Sequence, residues 1–215
     1  MFENYLSSLI KGKKVNCQDT LKLLTNKQLS IKELYTELFQ KSLYEVGRLW
    51  EFNHISVAVE HMATAITESL MNVIYATMAI SENRGFKALI SSSENEYHQI
   101  GAKMVSDIFE LNGWDTWYLG ANTPVNELIR LASQISPHVI GLSLSVYFHL
   151  PELKNMITII KDNYPECPVI IGGQAFKHGN GYLFAKTFPN TYYIESLDHL
   201  ENFIKDFNND QKSIA

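Results

Sequence analysis

His98 follows a carboxylate, Glu96, by two residues, in the run Ser91-Ser92-Ser93-Glu94-Asn95-Glu96-Tyr97-His98-Gln99-Ile100-Gly101. An imidazole can ligate a metal through one ring nitrogen while a carboxylate orients it through the other, so the pair reads as a metal ligand and its orienting group. Gly101 would let a bulky ligand approach the backbone beside it. Two later stretches have a matching character. Ser143 and Ser145 offer small hydroxyl side chains, and Gly172-Gly173 offers bare backbone. Small residues at neighbouring positions of a fold leave a slot deep enough for a flat or elongated group.

Those stretches matter only if the fold brings them together. From Phe86 onward short apolar segments alternate with amphipathic ones, the pattern of βαβ units on a parallel sheet. The pattern predicts strands at 87–91, 114–118, 138–143, 168–171 and 192–194. Helices are expected at about 99–112, 124–135, 150–163, 180–187 and 197–206. An α/β, doubly wound, Rossmann- or flavodoxin-like domain binds ligands outside the carboxyl ends of its strands. That rule puts the His98, Ser143 and Gly172 loops on one edge.

Residues 1 to about 80 read differently. Apolar positions recur every three or four residues through Leu21, Leu24, Ile31, Leu34, Leu38, Leu43, Val46 and Leu49, and this half has no proline. A long helix should start with Ser56 as N-cap and run to about Met78, after a turn at Asn53 and His54. With Ser81–Gly85 as linker, the expected division is a four-helix bundle at 1–84 and the α/β domain at 85–215. The polar tail from Asn208 is expected to fray.

Composition narrows the field. The chain has 215 residues, 46% of them hydrophobic, and a formal net charge of -5. Such a mildly acidic chain is not expected to bind nucleic acid directly, and Lys11, Lys13 and Lys14 form its tightest basic cluster. Cys17 and Cys167 form no metal-binding or redox pair by spacing. No apolar run approaches the roughly 18 residues of a membrane span, and the first residues lack the basic start of a signal peptide. The expectation is a cytoplasmic protein without a membrane partner.

The three stretches taken together carry a resemblance. Glu96-x-His98-x-x-Gly101, then Ser143-x-Ser145, then Gly172-Gly173 resembles the cobalamin-binding domain, whose usual motifs are D-x-H-x-x-G, S-x-L and G-G. Tyr118-Leu119-Gly120-Ala121-Asn122-Thr123-Pro124 also looks like the second-strand loop of these domains. The resemblance implies cobalamin, as adenosylcobalamin or methylcobalamin, with His98 as lower axial ligand to cobalt. Glu96 and Tyr97 would stand beside it, with the displaced nucleotide tail near Ser143, Ser145, Gly172 and Gly173. Glutamate replaces the usual aspartate at Glu96, and Ser145 stands where many relatives carry leucine.

The helical half adds a second likeness. Trp50, nine intervening residues, then Glu60-His61 resembles the W-x9-E-H signature of light-dependent cobalamin regulators. There the tryptophan caps the upper face of the corrin, and the glutamate and histidine contact the upper ligand. In the best-known repressors a histidine directly follows the tryptophan, whereas Glu51 stands here. That departure puts a bis-histidine photoproduct in doubt.

The leading expectation is therefore a light-responsive cobalamin sensor without a DNA-binding domain of its own, since the bundle begins almost at Met1. It would act on a protein partner, a transcription regulator, and spare apolar faces on the bundle are compatible with a homo-oligomer. The alternative is a corrinoid methyl-carrier protein of a methyltransferase system. Neither reading assigns a catalytic residue. A phosphorylation receiver or nucleotide binder is excluded by residues, because serines stand where a receiver needs its phosphoacceptor aspartate and no G-x-G-x-x-G follows the first strand. His138, His149, His178 and His199 stay unassigned, with His149 and His178 placed to line the tail slot.

Overall fold

The computed structural model describes residues 1–77, 79–177 and 179–212, and these fall into two compact units, Met1–Met78 and Ala79–Ala215. In the first unit, α1 (Phe2–Ile10) and α2 (Lys14–Thr25) precede α3 (Ile31–Glu33), a π-helical segment Leu34–Gln40, α4 (Lys41–Glu51) and α5 (Val57–Tyr75). Because α3, the π segment and α4 run on without a break, the unit consists of four helical rods. Its core is lined by Tyr5, Leu9, Tyr35, Phe39, Val46, Leu70 and Met71, each fully buried. Each such side chain contributes about 1.5–3 kcal/mol relative to an exposed one.

Two helix ends follow directly from sequence. Ser30 and Glu33 form a reciprocal capping box at the start of α3. At the end of α4, Asn53 takes a left-handed φ of 57°, and the amides of Asn53 and His54 donate to the carbonyls of Trp50 and Leu49 at 2.9 and 2.8 Å. This is a Schellman closure with asparagine at the left-handed position. Ser56 then caps α5, its side chain accepting from the Val59 amide. The helix ends at Tyr75, three residues short of the expected Met78, which lies outside the described residues.

The second unit is a five-stranded sheet of β1 (Lys87–Ser92), β2 (Asp115–Tyr118), β3 (Val139–Ser143), β4 (Val169–Gly172) and β5 (Thr191–Tyr193). All the pairings are parallel and the order is β2-β1-β3-β4-β5. The helices α6 (Ile100–Leu111), α7 (Val125–Ile135), α8 (Leu150–Asn163), α9 (Gly181–Ala185) and α10 (Leu197–Lys212) make the connections and close the chain. Both faces of β1 and β3 are buried, so their residues read as nearly unbroken apolar or small runs. The strand order reverses between β1 and β3, whose last residues, Ser92 and Ser143, stand in register. Such a switch point splays the two following loops apart and opens a crevice.

Three expectations are corrected. Asn208 does not begin a frayed tail: α10 continues to Lys212, and the buried Asn208 carboxamide accepts from Trp114 Nε1 at 3.2 Å. Trp114 is not the first residue of a strand but a core anchor, ringed by Phe86, Phe109 and Phe207. Residues 79–84 belong with the α/β unit rather than the bundle. They are tied to the α6–β2 turn by Ser81 Oγ on the Leu111 carbonyl (2.7 Å) and by the Arg84 amide on the Gly113 carbonyl (2.8 Å).

Candidate cofactor site

The loop after β1 carries His98, and the loop after β3 carries Ser145. Between them lies Glu96, whose side chain is fully buried. Its Oε1 accepts from the His98 amide at 2.9 Å and stands 2.5 Å from His98 Nδ1. Its Oε2 accepts from the amides of Ser145 and Val146 at 2.8 and 2.9 Å. One carboxylate thus bridges the crevice at the switch point.

Burial alone would push this carboxyl upward. Hydrogen bonds from the His98 ring, the His98 amide and the Val146 and Ser145 amides outweigh it and hold the group at about 2. Glu96 is therefore charged throughout the neutral range. With Nδ1 engaged by a carboxylate, the ring nitrogen facing away from Glu96 is Nε2, and the ring is about half exposed (48%). A metal approaching the loop would meet Nε2 of an imidazole already oriented by its neighbour.

The loop is held from beneath as well. Ser92 Oγ donates to the His98 carbonyl (3.2 Å), and the Glu94 amide donates to Met156 Sδ (3.0 Å). On the β2 side, Tyr118 OH donates to the Gln99 carbonyl (3.0 Å). Asn122 donates its amide to the Glu96 carbonyl (2.9 Å), accepts from the Asn95 amide at Oδ1 (2.9 Å), and donates from Nδ2 to Tyr97 OH (3.3 Å). Sequence reasoning picked out the Tyr118–Pro124 stretch without giving Asn122 a role. The available signal was an asparagine in a short loop, a residue type that tolerates the left-handed conformation it adopts here (φ 51°).

The glycines divide. A methyl group on Gly101, which is exposed on α6, would come no nearer than 3.4 Å to anything, its neighbour being Ser143 Oγ. Gly172 and Gly173 instead leave room for protein. A Cβ there would stand 2.9 Å from the Ile194 carbonyl oxygen and 2.1 Å from that of Leu144, the latter at a φ of 113°. Their bare sides serve the close approach of strand ends. Ser143 is buried and Ser145 half-buried at the same edge.

The remaining histidines sort by partner. His138 Nδ1 accepts from the Lys87 amide, and His199 Nδ1 accepts from the Glu195 amide. His149 lies on the loop after β3, its Nδ1 buried without a hydrogen-bond partner among the described residues. His178 is outside the described residues. On the loops after β1 and β3, Tyr97 (70%), Tyr147 (60%) and Phe148 (83%) are exposed.

In the helical unit, Trp50 lies on the last turn of α4 and is 45% exposed, near the exposed Phe52 and Val57 in sequence. Glu60 and His61 lie on the first turns of α5. Glu60 is turned inward and accepts from Thr64 Oγ1 at 2.9 Å, while His61 is largely exposed with Nε2 3.6 Å from Glu60.

The donor set fits a metal that brings its own equatorial ligands. Among the described residues no group of three His, Cys, Asp or Glu could cage a bare ion. What the α/β unit offers is one oriented imidazole, with exposed aromatic residues and an orphaned buried nitrogen on the loops after β1 and β3, which suits a flat macrocycle with a polar appendage. A doubly wound domain presenting one carboxylate-oriented histidine at its switch point has the features a corrinoid-binding module would need.

Comparison with known proteins agrees. A B12 binding domain model matches residues 86–195, and a second B12 binding domain model matches residues 1–75. The chain belongs to the B12-binding family, and it binds cobalamin. It is 26% identical over 134 residues to dimethylamine corrinoid protein 1 of Methanosarcina acetivorans, covering 61% of either chain. It is 24% identical over 143 residues to the HTH-type transcriptional repressor CarH of Myxococcus xanthus, covering 66% of this chain and 47% of that protein. The chain thus spans less than two thirds of these relatives. Its fold is that of the monomethylamine corrinoid protein of Methanosarcina barkeri, with a TM-score of 0.80 at 13% identity over 95% of this chain and 97% of that one. Among the described residues no helix is long and apolar enough to cross a membrane.

Proposed function

We propose that this chain is a corrinoid carrier: it holds cobalamin with its lower base displaced, His98 on cobalt, and presents the cofactor to a partner methyltransferase. The observation that carries the reading is the Glu96–His98 pair, buttressed across the switch point by the Ser145 and Val146 amides. The relationship to dimethylamine corrinoid proteins supports the carrier role over the sensor role. When bound, cobalamin supplies a cobalt–carbon bond that can be made and broken. The protein's part is to hold the imidazole. Glu96 would keep the proton on Nδ1 and leave the Nε2 lone pair for the metal, while the Ser145 and Val146 amides hold Glu96 charged and still. Trp50, Glu60 and His61 on the bundle are proposed as cofactor contacts by the W-x9-E-H resemblance, and Tyr97, Gly101, Ser143, Ser145, Gly172 and Gly173 for the surroundings of His98 and the tail.

A light-responsive regulator acting on a transcription factor is the second reading. A specific observation favours it: an exposed tryptophan at the end of α4, followed at the W-x9-E-H spacing by an inward glutamate and an outward histidine on α5. The resemblance to CarH points the same way over a smaller share of that protein.

One experiment separates the two. The protein is loaded in the dark with methylcobalamin, desalted, and divided. One half is illuminated with green light and sized by chromatography; the other is mixed with a methyltransferase encoded beside its gene and a thiol acceptor, and assayed for the labelled methyl thioether, the corrinoid being left as cob(I)alamin. Transfer without a light-dependent change of size supports the carrier. A light-dependent change without transfer overturns it in favour of the regulator.

A further inference from the structure

On the β2 side, one residue holds the stretch just before His98 through its backbone amide and its side chain. Asn122 makes three hydrogen bonds to the three residues immediately before His98: its amide to the Glu96 carbonyl, its Oδ1 from the Asn95 amide, and its Nδ2 to Tyr97 OH. Asn95 itself adopts a left-handed φ of 63°, so the loop makes a sharp reversal at the point where Asn122 Oδ1 receives its amide. Glu96 also fixes this stretch across the crevice, through the Ser145 and Val146 amides. The His98 loop is therefore clamped from both flanks, by a carboxylate reaching toward β3 and by a carboxamide reaching in from the loop after β2.

We infer that Asn122 is a positioning residue for the axial histidine: its side chain sets the height and tilt of the loop from which His98 meets cobalt. This rests on the reading of His98 as the lower ligand. The chemistry asks for both ends of the carboxamide. An acceptor is needed for the Asn95 amide and a polar partner for Tyr97 OH, while the backbone needs a residue at ease with positive φ. Asparagine meets all three conditions, and aspartate meets them too, since its second oxygen can accept from Tyr97 OH. Glycine meets only the backbone condition. It therefore separates the side-chain bonds from backbone strain.

The test uses the full chain with histidine labelled by ¹⁵N, reconstituted with cob(II)alamin. An axial ¹⁵N splits the high-field electron-paramagnetic lines into doublets, whereas the cofactor's own ¹⁴N base gives triplets. Wild type is expected to give doublets. Asn122→Gly should keep the melting temperature of the unloaded protein within a few degrees of wild type, yet bind cob(II)alamin about 10–100-fold more weakly, the range found when groups supporting a metal ligand are removed. Its spectrum should show triplets or unligated lines in place of part of the doublet. Asn122→Asp should restore the doublet and most of the affinity. Equal affinity and an equal doublet in wild type and Asn122→Gly overturn this inference alone, as does an Asn122→Asp variant no better than Asn122→Gly. A wild type without the doublet overturns the assignment of His98 and this inference with it.

Discussion

Replacing Glu96 by alanine should damage the unloaded protein far more than replacing the histidine it orients. The carboxylate accepts four hydrogen bonds, two from the His98 residue and two from the Ser145 and Val146 amides, and it is fully buried. In Glu96→Ala the two crossing amides lose their acceptor where water has poor access, at about 1–3 kcal/mol each when fully buried. Since these amides are partly buried, the lower half of that range applies, and the total is about 2–4 kcal/mol. At roughly 3 °C per kcal/mol for a domain of this size, melting should fall by about 6–12 °C. His98→Ala deletes one donor from a half-exposed ring and leaves Glu96 three donors, so it should cost about 1 kcal/mol or less. Glu96→Gln should fall between them, because its amide NH₂ must face donors on one side or the other. Calorimetry of the four unloaded proteins checks the order. If His98→Ala proves as destabilising as Glu96→Ala, or Glu96→Ala melts with wild type, the carboxylate is not the bridge described.

Gly101→Ala should raise the melting temperature slightly, by the roughly 0.5–1 kcal/mol that alanine gains over glycine in a helix, since nothing obstructs the new methyl group. It should nevertheless weaken cobalamin binding in titration; unchanged affinity would remove Gly101 from the site. Trp50→Ala should cost about 1 kcal/mol, less than the 3–5 kcal/mol of a buried aromatic, because the ring is half exposed. It should spare cobalamin binding more than any response to light, and equal losses would make it a packing residue. Burial raises the Cys167 thiol from 9.0 to about 11. In Cys17→Ser protein its alkylation by iodoacetamide at pH 8 should run about a hundredfold slower than that of a free cysteine, following its smaller thiolate fraction, and rise about tenfold per pH unit toward 11. Because the folded state favours the neutral thiol, this group's contribution to stability is intact below pH 9 and weakens above it.

The sheet was legible because buried parallel strands leave continuous apolar runs: Ala88-Leu89-Ile90 and Val139–Leu142 stand within a residue of where the pattern put them. Local chemistry made the turn at Asn53 and the cap at Ser56 equally plain. What escaped was long-range. Asn208 looks like a tail residue until Trp114 Nε1, ninety-four positions earlier, is found to donate to it. Gly172 and Gly173 read as bare backbone, and only the fold reveals that the Leu144 and Ile194 carbonyls approach them closely. The π-helical segment Leu34–Gln40 left no signature, because its buried Leu34, Tyr35, Leu38 and Phe39 also suit an ordinary helix. His98 and Glu96 were visible as a pair by spacing. That Glu96 also reaches Ser145 and Val146 is a product of sheet order, which a one-dimensional pattern does not contain.

The central claim is that His98 is the axial ligand, and methylcobinamide tests it most directly, because that corrinoid lacks the nucleotide base and any axial nitrogen must come from the protein. Wild type and His98→Ala are each incubated with it in the dark, desalted, and their absorption recorded. Wild type should retain the corrinoid with a nitrogen-ligated spectrum, and His98→Ala should leave it with the spectrum of the free, base-less form. A nitrogen-ligated spectrum in both, or in neither, contradicts the assignment.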